Sequence, residues 1–379
     1  MRIAAPLALA AFMLVVACGS ETTDKAAAPD EIEVKQPTGP VEALLSDDLP
    51  GLSAPSTGVA FWEHPSLPFN SLLIVSSENG VVSYNMDDGV EVGRIDGFNA
   101  QGAAVSYVGL GARAPGFVAF FDEADSLFRF YGIDNASRAF LPLNTGPSIR
   151  GAVRGFCMGR ARSALTPTLF VVQNARLRLF NLTGDADGVT ASGEAAIDAP
   201  DNLVSCTVDS DGVVLIADDQ GAIYRLIGDN AFTAPFAQTE AETPGDLVII
   251  SSLSGEEGES ISRRILLLDE ADGAVHVVDA ETGNALGVVQ FAGTDRMQNA
   301  EPANVMGASS ANLGSLYRDG ILAFGAVGAE GPIVRITPAS SLYNALSLSA
   351  GGAVGARGET QDGERELQIS IPEFSVQPE

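Results

Sequence analysis

The sequence predicts an all-β protein, a six-bladed β-propeller of four-stranded antiparallel blades, on three observations. The first is residues 58–95, which read as four strands: G-V-A-F-W, S-L-L-I-V-S-S, V-V-S-Y-N-M and V-E-V-G-R-I, with E-N-G and D-D-G among the breaks. Short apolar or alternating runs rich in β-branched residues, separated by Gly, Asn and Asp, are strand and turn chemistry. The second is that the central hairpin of this stretch returns five times later in the chain. The third is the spacing between the turns, roughly 45 to 58 residues, which suits propeller blades and is too long for most solenoids.

The copies run in order as F-V-A-F-F-D-E-A-D-S-L-F-R-F (117–130), L-F-V-V-Q-N-A-R-L-R-L-F (169–180) and V-V-L-I-A-D-D-Q-G-A-I-Y-R-L (213–226). They continue as I-L-L-L-D-E-A-D-G-A-V-H-V-V (265–278) and I-L-A-F-G-A-V-G-A-E-G-P-I-V-R-I (321–336). A single meander cannot bury both of its faces, so each copy needs a neighbour, and six copies close a ring with only short protected edges. A two-sheet β-sandwich is the alternative. It does not require the same hairpin six times at nearly even intervals.

Residues 1–18 are a targeting segment and stay outside the fold. Arg2 supplies the positive end, the run after it is apolar, and it closes in V-V-A-C followed by Gly19. This resembles the bacterial lipobox, which implies cleavage before Cys18 and diacylation of its thiol. Acyl chains contribute about 0.8 kcal/mol per buried methylene, so the chain is expected on a membrane surface. Gly19 in place of Asp favours an outer-membrane or periplasmic location. Residues 19–50, rich in Ala, Pro, Thr and acids and without aromatics, read as a tether. Residues 51–379 read as one propeller, with no second break in composition.

The net charge is −28, from 49 acidic and 21 basic residues. Such a surface repels phosphate backbones, so nucleic acid is excluded as a partner. Cys157 and Cys206 fall in G-F-C-M-G and L-V-S-C-T-V, the first strands of neighbouring blades. They are either bridged, in a compartment that permits disulfides, or two small apolar core residues. The two histidines, His64 and His276, lie in different blades, which argues against an imidazole zinc site. His276, inside V-H-V-V, is expected to face solvent or a neighbouring sheet. Gly-Asp-Ala-Asp-Gly (184–188) and Asp-Ser-Asp-Gly (209–212) start like calcium loops but lack the distal Glu, so they read as plain turns. No nucleophile elbow, phosphate loop, C-x-x-C or H-E-x-x-H is present, and no organic cofactor is expected.

F-W-E-H-P (61–65) followed by N-S-L-L-I-V-S-S-E-N-G-V-V-S-Y-N-M-D-D-G (70–89) resembles the opening blade of the β-propeller phytases. The likeness continues through R-G-F-C-M (154–158), V-S-C-T-V-D (204–209), V-L-I-A-D-D-Q-G-A-I-Y-R (214–225) and G-D-L-V-I-I-S (245–251). It ends in I-L-L-L-D-E-A-D-G-A-V-H-V-V-D (265–279). The resemblance implies calcium ions at one mouth of the channel, holding the phosphates of inositol hexakisphosphate and activating a water. An acidic site can meet so anionic a substrate only through cations.

The chain departs from that pattern at the ligands. Thr57, Gly58 and Val59 stand where the family has paired aspartates, and Glu78 and Asn79 replace lysines. Ala104, Ser106, Ala152 and Val204 occupy other charged positions, and the fifth-blade Glu-Gly becomes Gly245-Asp246. What survives for calcium is Asp218 and Asp219, with Asp209 and Asp246 or Glu242 nearby. His64 is expected to shape its loop.

Ring closure is expected from residues 41–49 or from the late E-L-Q-I-S-I-P-E-F, either of which can supply the outer strand of the sixth blade. Two functions of different class follow. One is a calcium-dependent phosphomonoester hydrolase of the 3-phytase type acting on inositol phosphates. The other is a non-catalytic propeller that binds a protein partner or assembles with it. In either case the chain is expected to be a monomer.

Overall fold

The computed structural model describes residues 39–49, 52–107, 116–159, 166–185, 188–227, 231–232, 234–254 and 260–348. The targeting segment with Cys18, the tether up to residue 38 and the late E-L-Q-I-S-I-P-E-F lie outside them.

Two short strands come first, β1 (Val41–Leu44) and β2 (Asp47–Leu49). Blade one is then β3 (Ser56–Trp62), β4 (Leu72–Ser77), β5 (Gly80–Asn85) and β6 (Glu91–Asp96). Blade two is β7 (Ala100–Ser106), β8 (Phe117–Asp122), β9 (Leu127–Ile133) and β10 (Phe140–Ser148). Blade three is β11 (Gly155–Gly159), β12 (Thr168–Gln173), β13 (Arg176–Asp185) and β14 (Gly188–Asp198). Blade four is β15 (Leu203–Val208), β16 (Val214–Asp218) and β17 (Ala222–Ile227), whose outer edge is shared by β18 (Ala231–Phe232) and β19 (Ala237–Gln238). Blade five is β20 (Pro244–Ser254), β21 (Ser260–Asp269), β22 (Ala274–Asp279) and β23 (Ala285–Ala292). Blade six is β24 (Val305–Ser309), β25 (Ile321–Gly328) and β26 (Gly331–Pro338), followed by α1 (Ala339–Ala345).

The six hairpins read from the sequence are the second and third strands of these six sheets, so the two-sheet sandwich is ruled out. Second strands are the most apolar because a neighbouring blade covers each of their faces. Every residue of β4 and β8 is buried, whereas outermost β6 is exposed or half-buried throughout. The cores lie between the blades: six apolar clusters occupy the six seams.

The N-terminal strands close the ring. Asp47–Leu49 pairs antiparallel with β26 as the outer strand of blade six, so this segment supplies that strand. Val41–Leu44 adds a parallel fifth strand to blade five through β23, which the sequence pattern does not foretell.

At the hub the inner strands nearly touch. A Cβ at Gly58 would stand 2.5 Å from Gly102 Cα, and one at Gly307 would stand 2.9 Å from the Val59 carbonyl oxygen. Glycine is needed there because backbone meets backbone. Side chains also tie blade to blade. Ser205 Oγ donates to the Gly245 carbonyl at 2.8 Å, and Asn304 Nδ2 donates to the Ser56 carbonyl at 2.8 Å. Cys157 on β11 and Cys206 on β15 are joined by a disulfide, with Cα atoms 5.7 Å apart. A crosslink closing a loop of this length contributes about 4 kcal/mol in the chain-entropy account.

Candidate functional site

In an antiparallel meander the start of the first strand and the turn between the second and third strands lie at the same end. One mouth of the ring is therefore built from six strand starts and six hairpin turns. A cleft of about 390 Å³ opens there, lined by Arg154 before β11, Asp219 in the β16–β17 turn, and four groups of blade five. These are Glu242 and Thr243 before β20, Asp246 near its start, and Glu270 in the β21–β22 turn.

Asp269, the last residue of β21, organises this side of the cleft. It is 4% exposed, and its carboxylate accepts N–H groups from Glu242 at 2.7 Å, Thr243 at 3.0 Å and Ala271 at 3.0 Å. Burial opposes its ionisation, but these three donors outweigh burial and hold its carboxyl below the usual range. Glu270 folds back over the β20 backbone, where a Cβ on Gly245 would stand 2.5 Å from Glu270 Oε1. Asp246 Oδ2 accepts the Met306 N–H at 2.8 Å, linking blade five to blade six.

Asp246 and Glu270 lean the other way. Burial pushes Asp246 up to about 6, against the pull of the Met306 N–H. Burial, then the charges of Asp246 and Asp269, push Glu270 up to about 7. The cleft thus gains negative charge as the pH rises through neutrality, and it suits a cationic group. His276 is 8% exposed, with Nε2 3.9 Å from Asp269 Oδ2. Burial lowers its pKa. The imidazole is packed beneath the cleft and does not face solvent.

The three carboxylates singled out for calcium do not share a site. Asp218 closes the β16–β17 turn: Oδ1 accepts from Gln220 N at 3.0 Å and Ala222 N at 2.9 Å, and Oδ2 accepts from the Tyr224 hydroxyl at 2.9 Å. Asp219 is exposed at the cleft rim. Asp209 follows the other end of β15, where its Oδ1 accepts Val213 N at 2.7 Å in the turn leading to β16. Burial raises its pKa first, against that hydrogen bond. Calcium takes six to eight oxygen ligands. Among the described residues no group of three or more Asp, Glu, His or Cys side chains is arranged to hold a metal. Asp218, Asp219 and Asp209, placed as they are, do not form a calcium cage.

Sequence reasoning reached Asp219, Glu242 and Asp246 but missed Asp269, Glu270 and Arg154. A signal was available. F-D-E-A-D in blade two, A-D-D-Q in blade four and L-D-E-A-D in blade five place an aspartate at the same strand end. Asp122, Asp218 and Asp269 are all buried there, and their oxygens accept from the following turn and, in addition, from Arg129 for Asp122, from Tyr224 for Asp218, and from Glu242 and Thr243 for Asp269. The repeated aspartate is a turn device, and in blades four and five the acid after it, Asp219 or Glu270, is the one left facing the cleft, whereas Glu123 of blade two accepts from Asn99 Nδ2 instead.

No protein-family model matches the chain, and no curated protein matches it. Among solved structures it is similar to one described as the structure of U3-55K, at 14% identity over 76% of this chain and 79% of that one, with a TM-score of 0.47. It is also similar to the β-propeller domain of Cps50 (Swd1) from Myceliophteria thermophila, at 12% identity over 77% and 86% of the chains, with a TM-score of 0.43. A third is Hsv2 from Kluyveromyces lactis, at 13% identity over 72% and 71%, with a TM-score of 0.39. The chain is a six-bladed β-propeller, and its own sheets carry that assignment.

Proposed function

We propose that this protein is a non-catalytic propeller that binds a protein partner or assembles with it, held outside the cytoplasm by acyl chains on Cys18. One observation supports this above the others. The aspartate that best matches the phytase ligands, Asp218, already spends both oxygens on Gln220, Ala222 and Tyr224, while the cleft beside it sets four carboxylates against the one guanidinium of Arg154. Arg or Lys from a partner fits four carboxylates around a cleft of this size better than a phosphate ester does.

The test uses a short Arg-rich peptide and the full chain, with binding followed calorimetrically. Wild type is expected to bind, and the Glu242→Gln, Asp246→Asn double variant to bind at least tenfold more weakly. Calcium-dependent phosphate release from inositol hexakisphosphate would overturn the reading in favour of the hydrolase. The anchor has its own check: metabolic labelling with palmitate is expected in the wild type and lost in Cys18→Ser.

A further inference from the structure

The opposite end of the ring carries a second surface. Five large apolar side chains stand exposed among the described residues, and four of them lie on connections at this end: Leu316 at 72%, Val90 at 58%, Phe69 at 46% and Leu67 at 41%. Leu67 and Phe69 lie on the loop between the first and second strands of blade one, and Leu316 lies on the same loop of blade six. Val90 lies on the turn between the third and fourth strands of blade one. A meander sends all three of these connections to the end away from the cleft. They are also continuous underneath. Met86 N donates to the Ser71 carbonyl at 3.0 Å, and buried Met86 shares one apolar cluster with Leu313 and Tyr317, which flank Leu316.

The fold spends a histidine on holding this surface out. His64 Nδ1 accepts the N–H groups of Ser66 at 3.2 Å and Leu67 at 3.1 Å, and its Nε2 lies 3.0 Å from the Asn135 carbonyl. Its own backbone N–H donates to Ser71 Oγ at 3.0 Å, and its ring meets the Trp62 ring edge-on at 5.4 Å. Pro65 and Pro68 fix two φ angles of the same loop. Leu67 and Phe69 therefore face water from a braced platform and not from a slack loop. Apolar side chains displayed in a group mark a contact surface, and bracing lowers the entropy lost on docking.

The charges around them specify the partner. Asp87 and Asp88 are exposed in the turn that carries Val90, and Asp88 Oδ1 accepts the Val90 N–H at 3.1 Å. Asp319 and Arg318 follow Leu316, on a chain of net charge −28. We propose that this platform docks a basic segment of another protein, which buries Phe69, Leu67, Val90 and Leu316 and pairs its Lys or Arg with Asp87 and Asp88. A second copy of this chain would bring like charge against like, and an anionic bilayer would repel the same two aspartates. The surface is remote from the cleft, so it stands or falls independently of the proposal made for that site.

The test places a photo-reactive amino acid at Phe69 in the full chain and irradiates the intact cells that make it. The expected product is one protein cross-linked through a segment of net positive charge, its yield falling at least tenfold in Asp87→Lys, Asp88→Lys and in Leu316→Ser. Cross-linking to lipid, to a second copy of the chain, to a neutral or acidic segment, or to nothing overturns the proposal. So does a yield indifferent to both variants. All three substituted residues are exposed, so wild-type thermal unfolding of each variant separates lost docking from lost folding.

Discussion

The acidic cleft, in blades three to five, and the apolar platform, in blades one and six, lie at opposite ends of the ring, and they are braced by opposite means. At the mouth, a buried anion gathers backbone N–H groups: Asp269 collects three of them and leaves Glu242, Asp246 and Glu270 to face the cleft. At the platform a ring nitrogen does the gathering, as His64 holds two N–H groups and leaves Leu67 and Phe69 to face water. In both places a side chain whose acceptor atoms are taken by backbone N–H groups sets the pose of its surroundings, Asp269 chiefly across to the strand start at Glu242 and Thr243 and His64 within its own loop. Chemistry-bearing residues in this chain are therefore poor guides to chemistry, and their sequence neighbours are better ones.

Removing the two braces tests this most severely. Asp269→Ala strands three donors in a buried setting, at about 1–3 kcal/mol each and not fully additive, so a loss of about 4 kcal/mol is expected in denaturant unfolding. His64→Ala strands two donors in a partly open loop and is expected to cost about 2 kcal/mol. Equal losses would mean that the two ends are not braced differently after all.

Blade four offers a sharper version within one dipeptide. Asp218→Ala removes an acceptor from two N–H groups and a hydroxyl and is expected to cost about 3 kcal/mol, whereas exposed Asp219→Ala is expected to fall within about 0.5 kcal/mol of wild type. Neither change is expected to alter the melting temperature difference between calcium-loaded and calcium-free protein. A calcium-induced rise in melting that Asp218→Ala abolishes would restore the aspartate as a ligand.

The smallest expected effect is on pH dependence. Asp246 at about 6 and Glu270 at about 7 keep protons that the unfolded chain has released, since an unperturbed carboxyl titrates near 4. Between those values the folded state binds more protons, so their contribution to stability is present in acid and is lost as pH rises through 6 to 7. Over the same interval the cleft becomes more anionic, and affinity for the Arg-rich peptide is expected to rise severalfold from pH 5.5 to pH 8. Glu270→Gln is expected to flatten the upper part of that rise. A profile that falls with pH would show that these carboxyls do not face the ligand.

Period and strand chemistry determined the ring from the sequence alone. Six hairpins of the form apolar run, turn, alternating run, five of them with Asp or Asn in the turn and the sixth with Gly, can bury their faces only against copies of themselves, and residues 41–49 had the pattern of a closing strand. Which acids face the cleft was decided only by tertiary structure. Asp218 and Asp219 are adjacent and identical on paper, yet strand alternation and the β16–β17 turn point one into the hairpin's own N–H groups and the other at the cleft. The cleft joins residues of blades three, four and five, separated by up to 116 positions between Arg154 and Glu270, and no local pattern encodes that proximity. Local sequence writes the hydrogen bonds that close a turn, because donor and acceptor are neighbours in the chain. The closure of the ring decides what then meets across the mouth.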